Sequence, residues 1–327
     1  MEDIITNIMK MEKKIDTELT INSSGTSFAT PLVSGVAALV EQKFPFLKGS
    51  QIADVILTTA NTNVTLPELI VTKNVGKTGT ANFYSVFYIT KDVPKNGNDV
   101  NLDQVKQDLI NAGFKTSDSD STIAKYIIDN LLKSNADVSS NDKTYPISVV
   151  KLSKEEIIGS GILDAQKALK GLAAININRL NPNDIQEFDD GNGVKKYYAF
   201  YTIDTKGQNG GFAFTNDIDE IKWNEKYHLN DAINSLKSDS LVNTNLSTLE
   251  AGFIKTGNGT LKFSENTLRY NGPTISRGGA LELHNVTAEN TALYADKGGK
   301  ILIFGDKTSV KKIYMPLTAV KLKSSES

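Results

Sequence analysis

The sequence predicts an α/β region followed by an all-β region of parallel β-helix repeats, and three observations predict it. Apolar residues fall at helical spacing between Ser27 and Lys43. Between residues 62 and 158, β-branched and aromatic runs alternate with amphipathic stretches. Beyond residue 250 a short strand pattern returns every 20 residues.

Residues 1–22 form a polar leader. In the first helix Phe28, Leu32, Val33, Val36, Leu39 and Val40 give the spacing of a buried stripe. Ala29, Ser34, Gly35, Ala37 and Ala38 leave little bulk elsewhere, so burial nearly all round is expected. Lys43 lies in the last turn and Pro45 stops the helix. A second helix starts at Gly49-Ser50, with Ile52, Val55 and Ile56 on one face. Within 62–158, Asn82–Thr90 and Tyr145–Leu152 have strand character. Leu102, Val105, Leu109 and Ile110, ended by Gly113, make one amphipathic helix. Ile123, Ile127, Ile128, Leu131 and Leu132 make another. A helix over Leu163–Ala174 closes this region, and the Asn/Pro/Asp/Gly-rich stretch from Asn176 to Gly193 reads as a linker. The repeat aligns Gly259-Thr260-Leu261-Lys262-Phe263 with Gly279-Ala280-Leu281-Glu282-Leu283 and Gly299-Lys300-Ile301-Leu302-Ile303. One strand per copy, with apolar residues repeating at two positions, predicts that each copy stacks on the last. The expected domains are the leader 1–22, a region 23–175 with an insertion at about 62–158, a linker and mixed segment 176–248, and the repeats 249–327.

Composition narrows the chemistry. The 327 residues carry 36 basic and 38 acidic side chains, no Cys and two His. A net charge of −2 provides no broad basic field for nucleic acid or an anionic membrane. Without Cys there are no disulfides, Cys-ligated metals or thiol nucleophiles. The acidic start Met1-Glu2-Asp3 lacks the apolar core of a secretory signal. The longest apolar candidate, Val36–Val40, is far short of the roughly 20 residues of a membrane-spanning helix.

Chemical content concentrates in Asn22-Ser23-Ser24-Gly25-Thr26-Ser27-Phe28-Ala29-Thr30-Pro31. A serine acts as nucleophile when its hydroxyl is exposed, a base takes its proton and donors await the oxyanion. Ser27 stands where a loop turns into a helix, near free backbone N–H groups and the positive end of the dipole. Gly25 permits close approach of a substrate backbone, and Pro31 falls about where the first turn ends. The residues fit equally a serine that only caps a core helix.

The string Gly25-Thr26-Ser27-Phe28-Ala29-Thr30-Pro31, with Val33-Ser34-Gly35 and Ala37-Ala38-Leu39, closely resembles the nucleophile motif of subtilisin-like serine peptidases, the subtilase or S8 family. Gly159-Ser160-Gly161-Ile162-Leu163-Asp164-Ala165 looks like the segment that closes the family's catalytic domain. The resemblance implies a partial subtilisin-like domain, Ser27 as nucleophile with its backbone N–H in the oxyanion hole, and Gly25, Thr26, Ala29 and Pro31 as supporting motif residues. It implies a polypeptide substrate and no required cofactor. Leu32 stands where many relatives carry His, which is not a triad member. Subtilases often hold structural calcium. The stretch Asp189-Asp190-Gly191-Asn192-Gly193 is rich in oxygen ligands but misses the spacing of a calcium loop, so a polar turn is expected and no metal site.

Lys255-Thr256-Gly257-Asn258-Gly259-Thr260-Leu261, Asn266-Thr267 and Gly278-Gly279-Ala280 are similar to the passenger repeat of bacterial autotransporters. Together the two resemblances imply a subtilisin-like autotransporter protease at the cell surface or outside the cell. An upstream signal peptide and an outer-membrane barrel would be expected for that family, and this sequence displays neither. The family's triad order is Asp, His, Ser. No His lies among the 26 residues before Ser27. Asp3, Asp16, Asn7 and Asn22 lack the family's context for the triad Asp and the oxyanion Asn, and His228 and His284 follow the catalytic segment. The expectation is a protease portion inactive alone; the alternative is a non-enzymatic β-helix passenger with an adhesin-like surface.

Overall fold

The computed structural model describes residues 11–14, 20–23, 26–75, 82–114, 127, 147–189, 195–208, 212–224, 246–314 and 320–322. The chain divides into two compact units, Met1–Ala29 with Thr62–Gly161 and Thr30–Asn61 with Ile162–Ser327. Strands β1 (Met11–Lys14) and β2 (Thr20–Ser23) form an antiparallel pair. Helix α1 spans Thr26–Lys43. One stripe of it, Val36 and Val40, is buried and continues into Phe44 and Leu47. The expected burial on every side is corrected here: Leu32, Val33 and Leu39 are 41–47% exposed. Residues at four-residue spacing share one face, and that face alone has core side chains to meet.

Helix α2 (Gly49–Thr59) follows. Gln51 Oε1 accepts from the Lys48 N–H at 2.9 Å, so a side chain inside the first turn satisfies the helix start. Val55 is buried, with Ile52 and Ile56 packed beside it. Burial pushes the Asp54 carboxyl above its ordinary value against the opposing pull of its ion pair with Arg179. Just past α2, Asn61 and Ile162 exchange two backbone hydrogen bonds, 2.7 and 3.0 Å, across an antiparallel bridge. The whole of 62–161 therefore leaves and returns at one point.

In that excursion β3 (Leu69–Val75) runs antiparallel to β4 (Asn82–Tyr88), which pairs in parallel with β7 (Ile147–Lys151). A short hairpin, β5 (Lys95–Asn96) with β6 (Asp99–Val100), leads into α3 (Leu102–Asn111). The Asn101 side chain caps α3, and Gly113 ends it at φ +92°. Tyr84, Val86 and Tyr88 alternate onto one face of β4 and are buried with Leu69, Val105, Leu109 and Ile127. Burial works to raise the Asp108 carboxyl, yet hydrogen bonds from Tyr88 (2.8 Å) and Gln104 (3.1 Å) and the Lys91 charge hold it below its ordinary value. Of the second helix expected here only Ile127 is described, and it is helical; the others lie outside the described residues. Helix α4 (Lys154–Ile158) closes the excursion.

The helix expected over 163–174 is shorter: α5 spans Ala165–Ala168, capped by Asp164. Gly171 then turns at φ +92°, where a Cβ would sit 2.3 Å from the Phe214 ring. Strand β8 (Ala174–Asn176) pairs in parallel with β12 (Asp219–Ile221). The stretch with linker composition holds two 3-10 turns, Ile177–Arg179 and Pro182–Asp184, and strand β9 (Ile185–Asp189).

From β10 (Lys195–Asp204) onward two sheets dominate. The first orders as β19-β17-β15-β13-β10-β9, from β13 (Glu250–Thr256), β15 (Thr274–Arg277), β17 (Thr287–Asp296) and β19 (Ser309–Tyr314). The second orders as β11-β14-β16-β18-β20, from β11 (Phe212–Phe214), β14 (Thr260–Ser264), β16 (Ala280–His284), β18 (Lys300–Phe304) and β20 (Val320–Leu322). Among the described residues only the β9–β10 pairing is antiparallel in these two sheets. Successive strands from β13 to β20 alternate between the sheets, and from β15 onward each pairs in parallel with the strand two before it. The three repeat strands lie side by side with Leu261, Leu281 and Ile301 in register, 20 residues apart. Their inward residues are buried in one cluster that extends from Val36 and Phe44 to Ile301. Phe44 meets Phe214 edge to face at 5.1 Å, and Phe46 meets Phe212 at 5.5 Å, so the helical layer closes the first strands of the stack. Among the described residues no helix is long and apolar enough to cross a membrane.

Candidate active site

Helix α1 begins at Thr26, which puts Ser27 inside the first turn and not at the cap. The N–H groups of the first three residues of a helix, here those of Thr26, Ser27 and Phe28, have no intrahelical acceptor. The peptide dipoles make this end positive, and no acidic residue in the turn offsets it. Ser27 is exposed, and no hydrogen bond joins its hydroxyl to another described residue. An exposed hydroxyl beside free amides is the local arrangement in which an anion forming next to the serine is stabilised.

Pro31 lies in the second turn of α1, later than the spacing suggested. It has no N–H to give the Ser27 carbonyl four residues earlier, so that carbonyl loses its helical donor. This consequence was readable from a Pro four positions after the Ser, and sequence reasoning had assigned the Pro only a tolerated place. Farther along, Ser34 Oγ turns back to the Thr30 carbonyl at 3.1 Å.

Of the supporting motif residues, Ala29 is half-buried, Pro31 is exposed and Gly25 lies outside the described residues. Two segments singled out in the sequence meet: the end of α2 and the stretch from Gly159 are joined at Asn61 and Ile162, and the Ala173 N–H reaches Thr58 Oγ1 at 3.4 Å. Asp3, Asn7, Asp16 and His228 lie outside the described residues. Asn22 is on β2, paired with Glu12. His284 sits on β16 with Nε2 2.9 Å from Glu282 Oε2 and its ring stacked on Phe304 at 4.3 Å. Among the described residues no group of three or more His, Asp or Glu side chains is placed to hold a metal ion. Asp189 ends β9, and Asp190–Gly193 lie outside the described residues.

A stretch of 39 residues is 56% identical to an extracellular serine protease of Serratia marcescens, covering 12% of this chain and 4% of that protein's length. Residues 6–86 match the subtilase family, peptidase S8, and the matched range takes in α1 with Ser27, α2 and β3.

Proposed function

We propose that this chain carries the nucleophile segment of a subtilisin-like serine endopeptidase of the autotransporter type, with Ser27 as nucleophile and its N–H as one oxyanion donor. The observation that supports this is an exposed serine hydroxyl in the first turn of α1, within the range that matches subtilases. In acyl transfer the Ser27 Oγ attacks the scissile carbonyl of a polypeptide, its proton passes to an imidazole, and the tetrahedral oxyanion takes hydrogen bonds from amides. The dipole and the Ser27 N–H, which has no acceptor within the helix, suit the last role. The imidazole has no candidate upstream of Ser27 in this sequence, and His284 is engaged by Glu282 and Phe304. In subtilisin, loss of Ser or His alone costs roughly a millionfold in turnover. Loss of one oxyanion donor costs about a hundred- to a thousandfold. By itself the chain therefore has negligible peptidase activity, and catalysis needs a further segment that brings Asp, His and Asn.

The alternation of β13–β20 between two parallel sheets supports reading the second half as a parallel β-helix passenger, and an extracellular or cell-surface location fits it. A fluorophosphonate probe tests the active-site reading, because it labels only an activated hydroxyl. The chain alone is expected to label no more than Ser27→Ala. The chain fused to an upstream subtilase segment bearing the Asp and His motifs is expected to label at Ser27. A correctly folded fusion that stays unlabelled would overturn the proposal and favour a non-enzymatic display role.

A further inference from the structure

The hairpin of the first unit, β5 with β6, turns at the dipeptide Asn96-Gly97. In an Asn–Gly pair the side-chain amide carbon lies close along the chain to a backbone nitrogen that no Cβ shields. Asn is accordingly among the thermolabile residues. Reaction between the two groups needs a side chain and a nitrogen that are both uncommitted, and a backbone able to bend; a folded environment withholds these wherever it does not open.

Asn–Gly occurs five times in the sequence, and of these Asn192-Gly193 and Asn209-Gly210 lie outside the described residues. At Asn271 the nitrogen is engaged: buried Gly272 donates its N–H to the Ala251 carbonyl at 2.8 Å, and Asn271 Nδ2 donates to Glu220 Oε2 at 3.4 Å. At Asn258 the side chain is engaged, its Oδ1 accepting from the Gly207 N–H at 3.1 Å. Gly259 beside it is buried, and a Cβ there would stand 2.1 Å from the Gln208 carbonyl oxygen. Asn96 meets neither restraint. Residues 95–99 are all exposed, and among the described residues no hydrogen bond engages the Asn96 side chain or the Gly97 N–H. Gly97 turns at φ +64°, with no atom beyond its chain neighbours within 4 Å of where a Cβ would stand. Strands β5 and β6 pair over two residues each, so the tip opens by giving up one pair, Asn96 with Asp99.

We propose that Asn96 is a site of spontaneous deamidation. The Gly97 nitrogen, losing its proton, attacks the side-chain amide carbon of Asn96; a C–N bond forms, the bond to the amide nitrogen breaks and ammonia leaves. Water then opens the cyclic imide at one or other carbonyl, giving aspartate or isoaspartate at position 96. Nothing is oxidised or reduced, and water and hydroxide are the co-reactants. The product works against its own hairpin. A carboxylate at position 96 stands directly across from Asp99, and like charges at directly opposed strand positions are destabilising. Isoaspartate adds a methylene to the main chain and so shifts the pairing. None of the residues around Ser27 takes part, so the site stands apart from the peptidase reading.

Incubation of the folded chain at mildly alkaline pH, followed by peptic digestion at acid pH and fragment mass spectrometry, locates each converted asparagine. Conversion at Asn96 is expected to outpace that at Asn258 and Asn271 by at least about tenfold, because those two react only when their surroundings open. In denaturant the three are expected to convert at similar rates. Gly97→Ala, which shields the nitrogen, is expected to slow conversion at Asn96 by about tenfold. Amide hydrogen exchange across residues 95–100 is expected to quicken as product accumulates in the natural protein and to stay constant in Asn96→Gln. Conversion at Asn96 no faster than at the other two in the folded chain, conversion unslowed by Gly97→Ala, or exchange that stays constant as product accumulates would each overturn the proposal.

Discussion

Lys255 on β13 is fully buried, and its ammonium donates to the carbonyls of Gly257 (2.8 Å), Gly278 (2.7 Å) and Gly259. One cation thus ties together the backbone ends of neighbouring strands. At neutral pH, Lys255→Met is expected to destabilise the fold by about 1–3 kcal/mol, because three buried carbonyls lose their donor. Burial, countered in part by Asp204, pushes the lysine down from 10.5 to about 8. Between those two values the unfolded chain holds a proton that the folded chain has released, so stability rises with pH across that window. The gap between the natural protein and Lys255→Met is therefore expected to widen above pH 8, by on the order of 3 kcal/mol at most. Denaturant melts of both proteins through that range check the sign, and a gap that narrows would refute it.

At the scale of the element, the strand ends carry a conformational signature. Glu265, Asn285 and Gly305 follow β14, β16 and β18 at 20-residue spacing, with φ of 53°, 53° and 81°. A side chain pays a steric penalty in this left-handed region, least at Gly and most at a residue such as Glu. Glu265→Gly is expected to stabilise by up to about 1 kcal/mol, the relief being partly offset by the looser unfolded chain. Gly305→Ala is expected to destabilise, because its Cβ would also lie 2.0 Å from Asn285 Oδ1. Thermal melts of the two variants should move in opposite directions. The repeat strands were legible because their inward residues are apolar at a constant period. The strands of the other sheet were not: Lys255, Thr274 and Ser276 occupy buried places there, and polar residues hide an inward face. Strand β9 was hidden for a related reason, since Asn, Pro, Asp and Gly around it are the residues of turns. The place of Ser27 at a helix start was legible because the start of that helix follows from local sequence.

At the scale of the whole molecule, each unit has its own apolar core, one around Val86 and Leu109, the other running from Val40 to Ile301. The excursion belongs to the first unit, and its two ends flank the Asn61–Ile162 bridge of the second. Replacing residues 63–160 with a short Gly/Ser link is expected to leave the thermal transition of the strand stack within a few degrees of its original value, followed by far-UV circular dichroism. Collapse of that transition would show that the stack depends on the excursion. The pairing of the repeat strands has a last consequence. Because Leu261, Leu281 and Ile301 neighbour one another at one fixed spacing, the chain can lengthen or shorten here only in whole copies. Adding 20 residues moves everything beyond by one strand separation, about 4.8 Å, and keeps every inward side chain inward. Adding one residue turns a strand over. The stack works as a ruler with discrete marks, able to set distance from its helical end without redesign of its interior.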